Sequence, residues 1–327
     1  MRILVTGGAG YIGSVMSHML VGEGHEVLIL DNLSMGHAEA VEGIDLKVLE
    51  LEDRASVREA CEQFKPDACM HFAAHSLVGE SMENPYKYLS GNLGGSLNLL
   101  GGLLKTGCRL IVFSSTCAVY GVPHDIPITE RSLTDPINPY GWSKLMFEKV
   151  LELVSRTGAM RFFSLRYFNA AGADAVRNLG EDHDPETHLI PRVIRAALGS
   201  EPAASIYGTD YATPDGTCVR DYIHVVDLCH AHLLALERLT SGGGSGAFNL
   251  GNGDGFSVRK VIESVKRVSG ADFDVVEEER REGDPPVLVA SSEKIRSELG
   301  WEPGITGIDE VVRTAWEWHR AHPGGYA

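Results

Sequence analysis

A glycine-rich loop between an apolar strand and a helical pattern constrains this chain more than any other feature. Val5-Thr6-Gly7-Gly8-Ala9-Gly10-Tyr11-Ile12-Gly13 follows the apolar run that starts at Arg2 and leads into a helix expected over Tyr11–Val21. Gly8, Gly10 and Gly13 satisfy Gly-x-Gly-x-x-Gly, and Gly7 adds a Gly-x-x-Gly-x-x-Gly spacing. In strand–loop–helix context such glycines allow a tight turn, close backbone approach to a pyrophosphate and close packing of helix on strand. The helix N-terminus then attracts the negative charge. Asp31, 18 residues past Gly13, ends the second strand. There a carboxylate can accept from an adenosine ribose and repel an added phosphate, which favours NAD over NADP. Capping of the turn Asp31-Asn32-Leu33-Ser34 is an equally compatible role.

The rest of the first half extends this unit. Ile3–Thr6, Val27–Leu30, Leu46–Leu49, Ala68–Phe72, Leu110–Ser114 and Phe162–Tyr167 read as strands. Tyr11–Val21, Ser56–Phe64, Pro85–Leu104 and Pro139–Ser155 read as helices, two of them opening on proline. The alternation calls for a Rossmann-type, doubly wound α/β parallel sheet covered by helices, over residues 1–168. From 169 to 327 the loops lengthen, and a smaller α/β substrate-binding domain is expected, with some segments returning to the first. Helices are expected at Leu189–Leu198, Val226–Leu239, Val258–Val268 and Ile308–His319, with strands at Ala204–Tyr207 and Phe273–Val276. Gly242-Gly-Gly-Ser-Gly246 reads as a flexible surface turn. The helices at Pro85 and Pro139 carry apolar residues on more than one face, so a homodimer is expected.

Bulk properties narrow the function classes. Lys and Arg number 29 against 45 Asp and Glu, a net charge of −16 that argues against nucleic acid or an anionic membrane as partner. Six scattered cysteines form no Cys-x-x-Cys pair and read as reduced core residues. The chain enters its first strand directly and has no run long enough to span a bilayer, so a cytoplasmic location is expected.

Tyr140-Gly-Trp-Ser-Lys144 carries the chemistry. Four residues make slightly more than one helical turn, so the phenol and the ammonium share a face. A lysine cation beside a phenol favours the phenolate and brings it toward the range of a neutral-pH general base. Alone, the pair is also compatible with a solvated surface contact. The fifth strand ends in Phe113-Ser114-Ser115-Thr116, placing hydroxyls at the carboxyl edge of the sheet, where ligands of such folds collect. Turn formation or helix capping is the competing role for them.

These segments together resemble the extended short-chain dehydrogenase/reductase superfamily. His71-Phe-Ala-Ala-His-Ser-Leu-Val-Gly-Glu-Ser81, Asn138–Lys144, Arg166-Tyr-Phe-Asn169, Asp215–His224, Arg280–Asp284, Trp316–His319 and Pro323–Tyr326 narrow the resemblance to the UDP-glucose 4-epimerase family, nearly end to end. The resemblance implies UDP-glucose and UDP-galactose as substrates and tightly held NAD. Tyr140 would be the base at the sugar 4-hydroxyl, Thr116 its hydrogen-bonding partner, and Lys144 the group that binds ribose and tunes Tyr140. It implies cofactor contacts from Gly7, Gly10, Tyr11, Ile12, Gly13, Asp31, Asn32, Glu52, Phe72, Ala73, Ala74, Asn92, Ser114 and Tyr167. Substrate contacts would come from Asn169, His188, Leu189, Tyr207, Arg220, Arg281 and Asp284. Guanidinium groups suit diphosphate oxygens, and Tyr207 is either a uracil contact or a packed strand residue.

The chain departs from the family pattern at three places. Glu50-Leu-Glu-Asp-Arg54 replaces Gly-Asp-(Ile/Leu)-Arg, leaving the adenine contact open between Glu52 and Asp53. One branch of the family carries a lysine near the position of Ser76, so a cation beside the cofactor is absent or replaced in this chain. Leu288 is intermediate between the bulky and small residues that exclude or admit an N-acetyl group, so UDP-N-acetylglucosamine is a possible further substrate. His183 and His188 have a metal-like look, but a solvated polar loop and no metal are expected. A 4,6-dehydratase would need an acid and a base after the threonine, where Cys117 and Ala118 stand. Other readings are a 4-epimerase of another UDP-sugar, such as the glucuronate, or an NAD-bound sensor without catalysis.

Overall fold

The computed structural model describes residues 1–281 and 284–326; Glu282 and Gly283 of the Arg280–Asp284 motif, and Ala327, lie outside the described residues. The strands of the first half are β1 (Arg2–Thr6), β2 (Glu26–Asp31), β3 (Asp45–Val48), β4 (Ala68–His71), β5 (Leu110–Thr116) and β6 (Arg161–Tyr167). The remainder are β7 (Asn169–Ala171), β8 (Ala204–Tyr207), β9 (Val219–His224), β10 (Gly246–Leu250), β11 (Gly255–Ser257), β12 (Val275–Glu278) and β13 (Val287–Leu288). A seven-stranded sheet runs in the order β10-β6-β5-β4-β1-β2-β3. All its pairings are parallel. This is the Rossmann-type doubly wound arrangement, and its strand order reverses between β1 and β4, which opens a crevice at their carboxyl ends.

Both faces of the sheet are covered, so its strands read as continuous apolar runs rather than alternating ones. Ile3 and Val5 of β1 pack on one face with Val15, Met16 and Leu20 of helix Tyr11–Gly22 and Leu228 and Leu236 of helix Val225–Thr240. Leu4, between them, points to the other face with Val57, Leu99, Leu103 and Phe147 from helices Arg54–Phe64, Gly95–Thr106 and Pro139–Arg156. Every core residue named here is below a tenth exposed.

The later strands build a four-stranded sheet, in which β9 pairs with β7, β11 and β13, and a two-stranded pair, β8 with β12. Helices Leu189–Ala197, Val258–Ser269 and Ile308–Ala321 pack around them through Ile190, Ile194, Val261, Val265 and Val312. Two expectations change. The large sheet has a seventh strand, because Gly246, read as part of a flexible turn, begins β10 and pairs in parallel with Phe163 of β6. The single helix expected over Pro85–Leu104 is broken by a π-helical stretch at Leu89–Gly94, with regular helix on either side. No helix among the described residues is long and apolar enough to cross a membrane.

Candidate active site

The glycine loop leaves β1 at the switch point. Gly7 adopts φ +67°, and a Cβ there would lie 2.4 Å from the Ala73 nitrogen. A Cβ on Gly13 would lie 2.0 Å from the Gly7 carbonyl oxygen, so the protein itself requires both glycines. Gly10 differs. Its Cβ would meet only that same oxygen at 3.5 Å, an ordinary contact. Gly10 is the N-cap of helix Tyr11–Gly22, and no side chain caps it. The first-turn N–H groups of Tyr11, Ile12 and Gly13 therefore form a receptive end for an anion, approached across a residue without a side chain. These features fit the pyrophosphate of a dinucleotide. The Tyr11 side chain is used inside the protein, its hydroxyl donating to the Gly172 carbonyl at 2.6 Å.

Asp31 holds its turn, one of the two roles open to it. Its two oxygens accept from the N–H groups of Ala9 and Leu33, each at 2.9 Å, fixing the loop to the end of β2. Burial raises its pKa, with the backbone hydrogen bonds opposing. Asn32 holds the turn, donating to Glu50 and accepting from Ser34. Asp53 caps helix Arg54–Phe64 by accepting from Ala55, Ser56 and the Ser56 hydroxyl. Glu52 instead directs one carboxylate oxygen toward Gly91.

Phe72, Ala73 and Ala74 continue from β4 alongside Gly7, with the Phe72 and Ala73 N–H groups donating to the Thr6 carbonyl. Asn92, buried in the π-helical stretch, accepts from the His75 N–H and donates to the His75 carbonyl and the Ser143 hydroxyl. It thereby binds the segment after β4 to the helix that carries Tyr140 and Lys144.

That helix starts at Pro139 and is capped by Asn138, which accepts from the Gly141 N–H at 2.8 Å. Tyr140 and Lys144 are 9% and 3% exposed. The Lys144 ammonium donates to the Ser114 carbonyl at 2.8 Å and stands over the Phe113 ring. Thr116, aligned with Tyr167 across β5 and β6, accepts from the Ala118 N–H. Burial raises Tyr140 well above the usual phenol range; Tyr167 adds to the rise and Thr116 opposes it. Burial also lowers Lys144 to about 7, against the pull of Glu148. The expected lowering of the phenol by its lysine neighbour is therefore outweighed, since desolvation drives both groups toward their neutral forms.

Farther along, Asn169 donates to the Asp221 carbonyl at 2.8 Å. Arg220 pairs with Asp284 at 2.5 Å, bringing together two residues 64 positions apart. Arg281 stacks its guanidinium 3.9 Å from the centre of the Tyr207 ring. Arg281 and Arg192 beside it lower the Tyr207 phenol, and Tyr207 ends β8 half-buried. Leu189 starts helix Leu189–Ala197 and packs on its apolar cluster. The segment around His183 and His188 is not simply solvated: Glu181 and Glu186 beside them are buried.

One participant escaped the sequence reading. Glu148, buried four residues beyond Lys144 on the same helix face, accepts from the Ser115 hydroxyl and forms two bonds with Arg166. Arg166 also donates to the Tyr120 hydroxyl. The regular spacing of 140, 144 and 148 was the available signal.

A Rossmann crevice lined by a Tyr-Lys pair and a strand-end threonine defines a nicotinamide-dependent enzyme of alcohol and ketone chemistry. The profile of the NAD dependent epimerase/dehydratase family matches residues 3–251, and the chain belongs to that NAD-dependent family. It is 48% identical to a UDP-glucose 4-epimerase of Halalkalibacterium halodurans, over 100% of this chain and 98% of that one. A crystal structure of a UDP-glucose 4-epimerase superposes with TM-score 0.97 at 46% identity, covering 100% of both chains. The Brucella ovis UDP-glucose 4-epimerase, solved in complex with NAD, gives TM-score 0.94 and 46% identity over 97% of each chain. Within the family the chain stands among the UDP-glucose 4-epimerases, as an enzyme of that type.

Proposed function

We propose that the protein interconverts UDP-galactose and UDP-glucose through a transient 4-keto sugar. The observation that carries this reading is the burial of Tyr140 and Lys144, four residues apart on one helix, with the Lys144 ammonium bonded to the Ser114 carbonyl of β5, the strand that ends in the buried Thr116. Tyr140 takes the proton of the 4-hydroxyl and later returns it, so one phenol serves both halves of the reaction. Thr116 holds the same oxygen in place. Lys144 binds the nicotinamide ribose and favours the ionised phenol. When bound, NAD supplies the hydride acceptor and donor for carbon 4, and its cationic ring offsets the desolvation that raises Tyr140. Inversion follows if the ketone turns over before reduction, with no net oxidation.

Residues 1–168 hold the cofactor in this reading, and 169–327 mainly hold the sugar nucleotide. Arg220 and Arg281 grip the diphosphate, Asp284 the uridine ribose, Tyr207 the uracil, and Asn169, His188 and Leu189 the remainder. Exposed Leu97 and Leu104 of helix Gly95–Thr106 and Trp142, Met146 and Leu153 of helix Pro139–Arg156 support a homodimer; a monomeric mass by light scattering would refute it. Leu288, half-buried with Val119 and Tyr120 and aligned with Arg220, favours a second reading with N-acetylated UDP-sugars. Absence of turnover of UDP-N-acetylgalactosamine would reject that reading.

The primary test is conversion of UDP-galactose to UDP-glucose without added reductant. Conversion with no accumulation of NADH is expected, and a Tyr140→Phe protein should lose turnover while keeping NAD. A protein whose ligand response is untouched by Tyr140→Phe would be a sensor.

A further inference from the structure

The loop ahead of helix Leu189–Ala197 carries Glu181, His183, Glu186 and His188, and one side-chain donor atom from each lies within 4.8 Å of the others. His183 Nδ1 is 3.2 Å from a Glu181 oxygen and 3.9 Å from Glu186 Oε2. His188 Nδ1 hydrogen-bonds the same Glu181 oxygen. The carboxylate side chains of Glu181 and Glu186 are 4% and 0% exposed. Glu186 Oε1 accepts from the Thr187 and His188 N–H groups, each at 2.7 Å. Its Oε2 is buried, faces His183, and has no hydrogen-bond partner among the described residues. A buried carboxylate oxygen without a donor is costly, and such groups are normally paired or bound to a cation.

We propose that Glu181, His183, Glu186 and His188 form a binding site for a first-row divalent cation of the zinc class. Two imidazoles and two carboxylates suit a four-coordinate ion, whereas Mg²⁺ and Ca²⁺ prefer all-oxygen sets. Bond lengths of about 2.0–2.2 Å place the donors of a tetrahedral ion roughly 3.4 Å apart, close to the His183 spacings. The ion would take the place of the His188–Glu181 hydrogen bond and satisfy Glu186 Oε2.

Its position suggests a bracing role. The His183 ring meets the ring of Tyr11 edge-on at 6.5 Å, and Tyr11 opens the helix of the cofactor loop. His188 is the N-cap of helix Leu189–Ala197. From the C-terminal segment, Tyr326 hydrogen-bonds Gly180, and Trp318 donates to the Asn178 carbonyl. An ion here would fix the substrate-side loop against the cofactor side. It would stand outside the proton transfers of the reaction.

Purified full-length protein, treated with chelator and desalted, should regain zinc near one ion per chain by elemental analysis. Its melting temperature should rise with Zn²⁺ and stay unchanged with Mg²⁺. Co²⁺ in place of zinc should give the intense visible absorption of a four-coordinate site. Glu186→Gln and, separately, His183→Gln should abolish stoichiometric zinc while circular dichroism and NAD content persist. If one variant fails to fold, the other and the Co²⁺ spectrum decide. Failure of the wild type to take up zinc, or undiminished uptake by a folded variant, would overturn the proposal. Since the readout is metal content, failure would leave the epimerase reading intact.

Discussion

Glu148 grips Arg166 through both carboxylate oxygens, at 3.0 Å to Nε and 2.5 Å to Nη2, with both side chains below a tenth exposed. The pair joins the Tyr140–Lys144 helix to β6, and Ser115 and Tyr120 complete its hydrogen bonding. Removing one member of a buried ion pair leaves the other charge desolvated and unpaired, at a cost of about 3–5 kcal/mol. Glu148→Gln should therefore lower the unfolding free energy measured in urea by an amount of that order, and the midpoint with it. An unchanged midpoint would mean that Arg166 finds water or another partner.

The glycine loop separates two requirements. Gly13→Ala would force a Cβ to within 2.0 Å of the Gly7 carbonyl oxygen, so loop and helix must move apart and the protein should lose both stability and NAD. Gly10→Ala meets nothing closer than 3.5 Å in the protein. It should leave the fold intact and weaken NAD selectively. Thermal melts with and without added NAD, together with NAD content after purification, check the contrast. Equal loss of stability in both variants would contradict it.

Glu52 and Asp53 are distinguished in the same way. Asp53→Ala removes the cap of helix Arg54–Phe64 and should cost about 0.5–2 kcal/mol with little effect on NAD affinity. Glu52→Gln should leave the melt unchanged and weaken NAD. Calorimetric titration with NAD reads the second effect, and reversed outcomes would assign the adenine contact to Asp53.

The strands of the large sheet were legible because burial on both faces demands unbroken apolar runs such as Leu110–Phe113. Its seventh strand was not. Gly246–Leu250 is short and opens on glycine, and only pairing with β6 gives it strand character. The π-helical stretch at Leu89–Gly94 escaped notice because one extra residue per turn only slips the helical period, while its placement depends on bonds from Asn92 to His75 and Ser143. Tyr140 and Lys144 were legible from spacing, and Glu148 was equally so in principle. The burial of Glu181 and Glu186 was hidden, because Trp318 and Tyr326, about 140 residues away, pack against that stretch. Local polarity alone gives a solvated loop.

Lys144 sets a pH dependence whose sign follows from its burial. Its ordinary value of 10.5 falls to about 7 in the folded protein. Between these values the unfolded chain holds a proton that the folded chain has released, so unfolding takes up a proton and stability rises with pH across the window. The contribution is fully present above the unfolded value and is lost as pH falls through the folded one. Over roughly three pH units it amounts to a few kcal/mol. Tyr140, raised by burial, acts oppositely but only above its ordinary value of 10.0. Lys144→Met removes the titrating group and should flatten the profile, with its largest relative stabilisation near neutral pH. Urea unfolding of both proteins at equal NAD occupancy, from pH 6 to pH 10, makes the comparison. Parallel profiles would show that the ammonium stays charged at its place under Ser114, with enough water or counter-charge to offset desolvation.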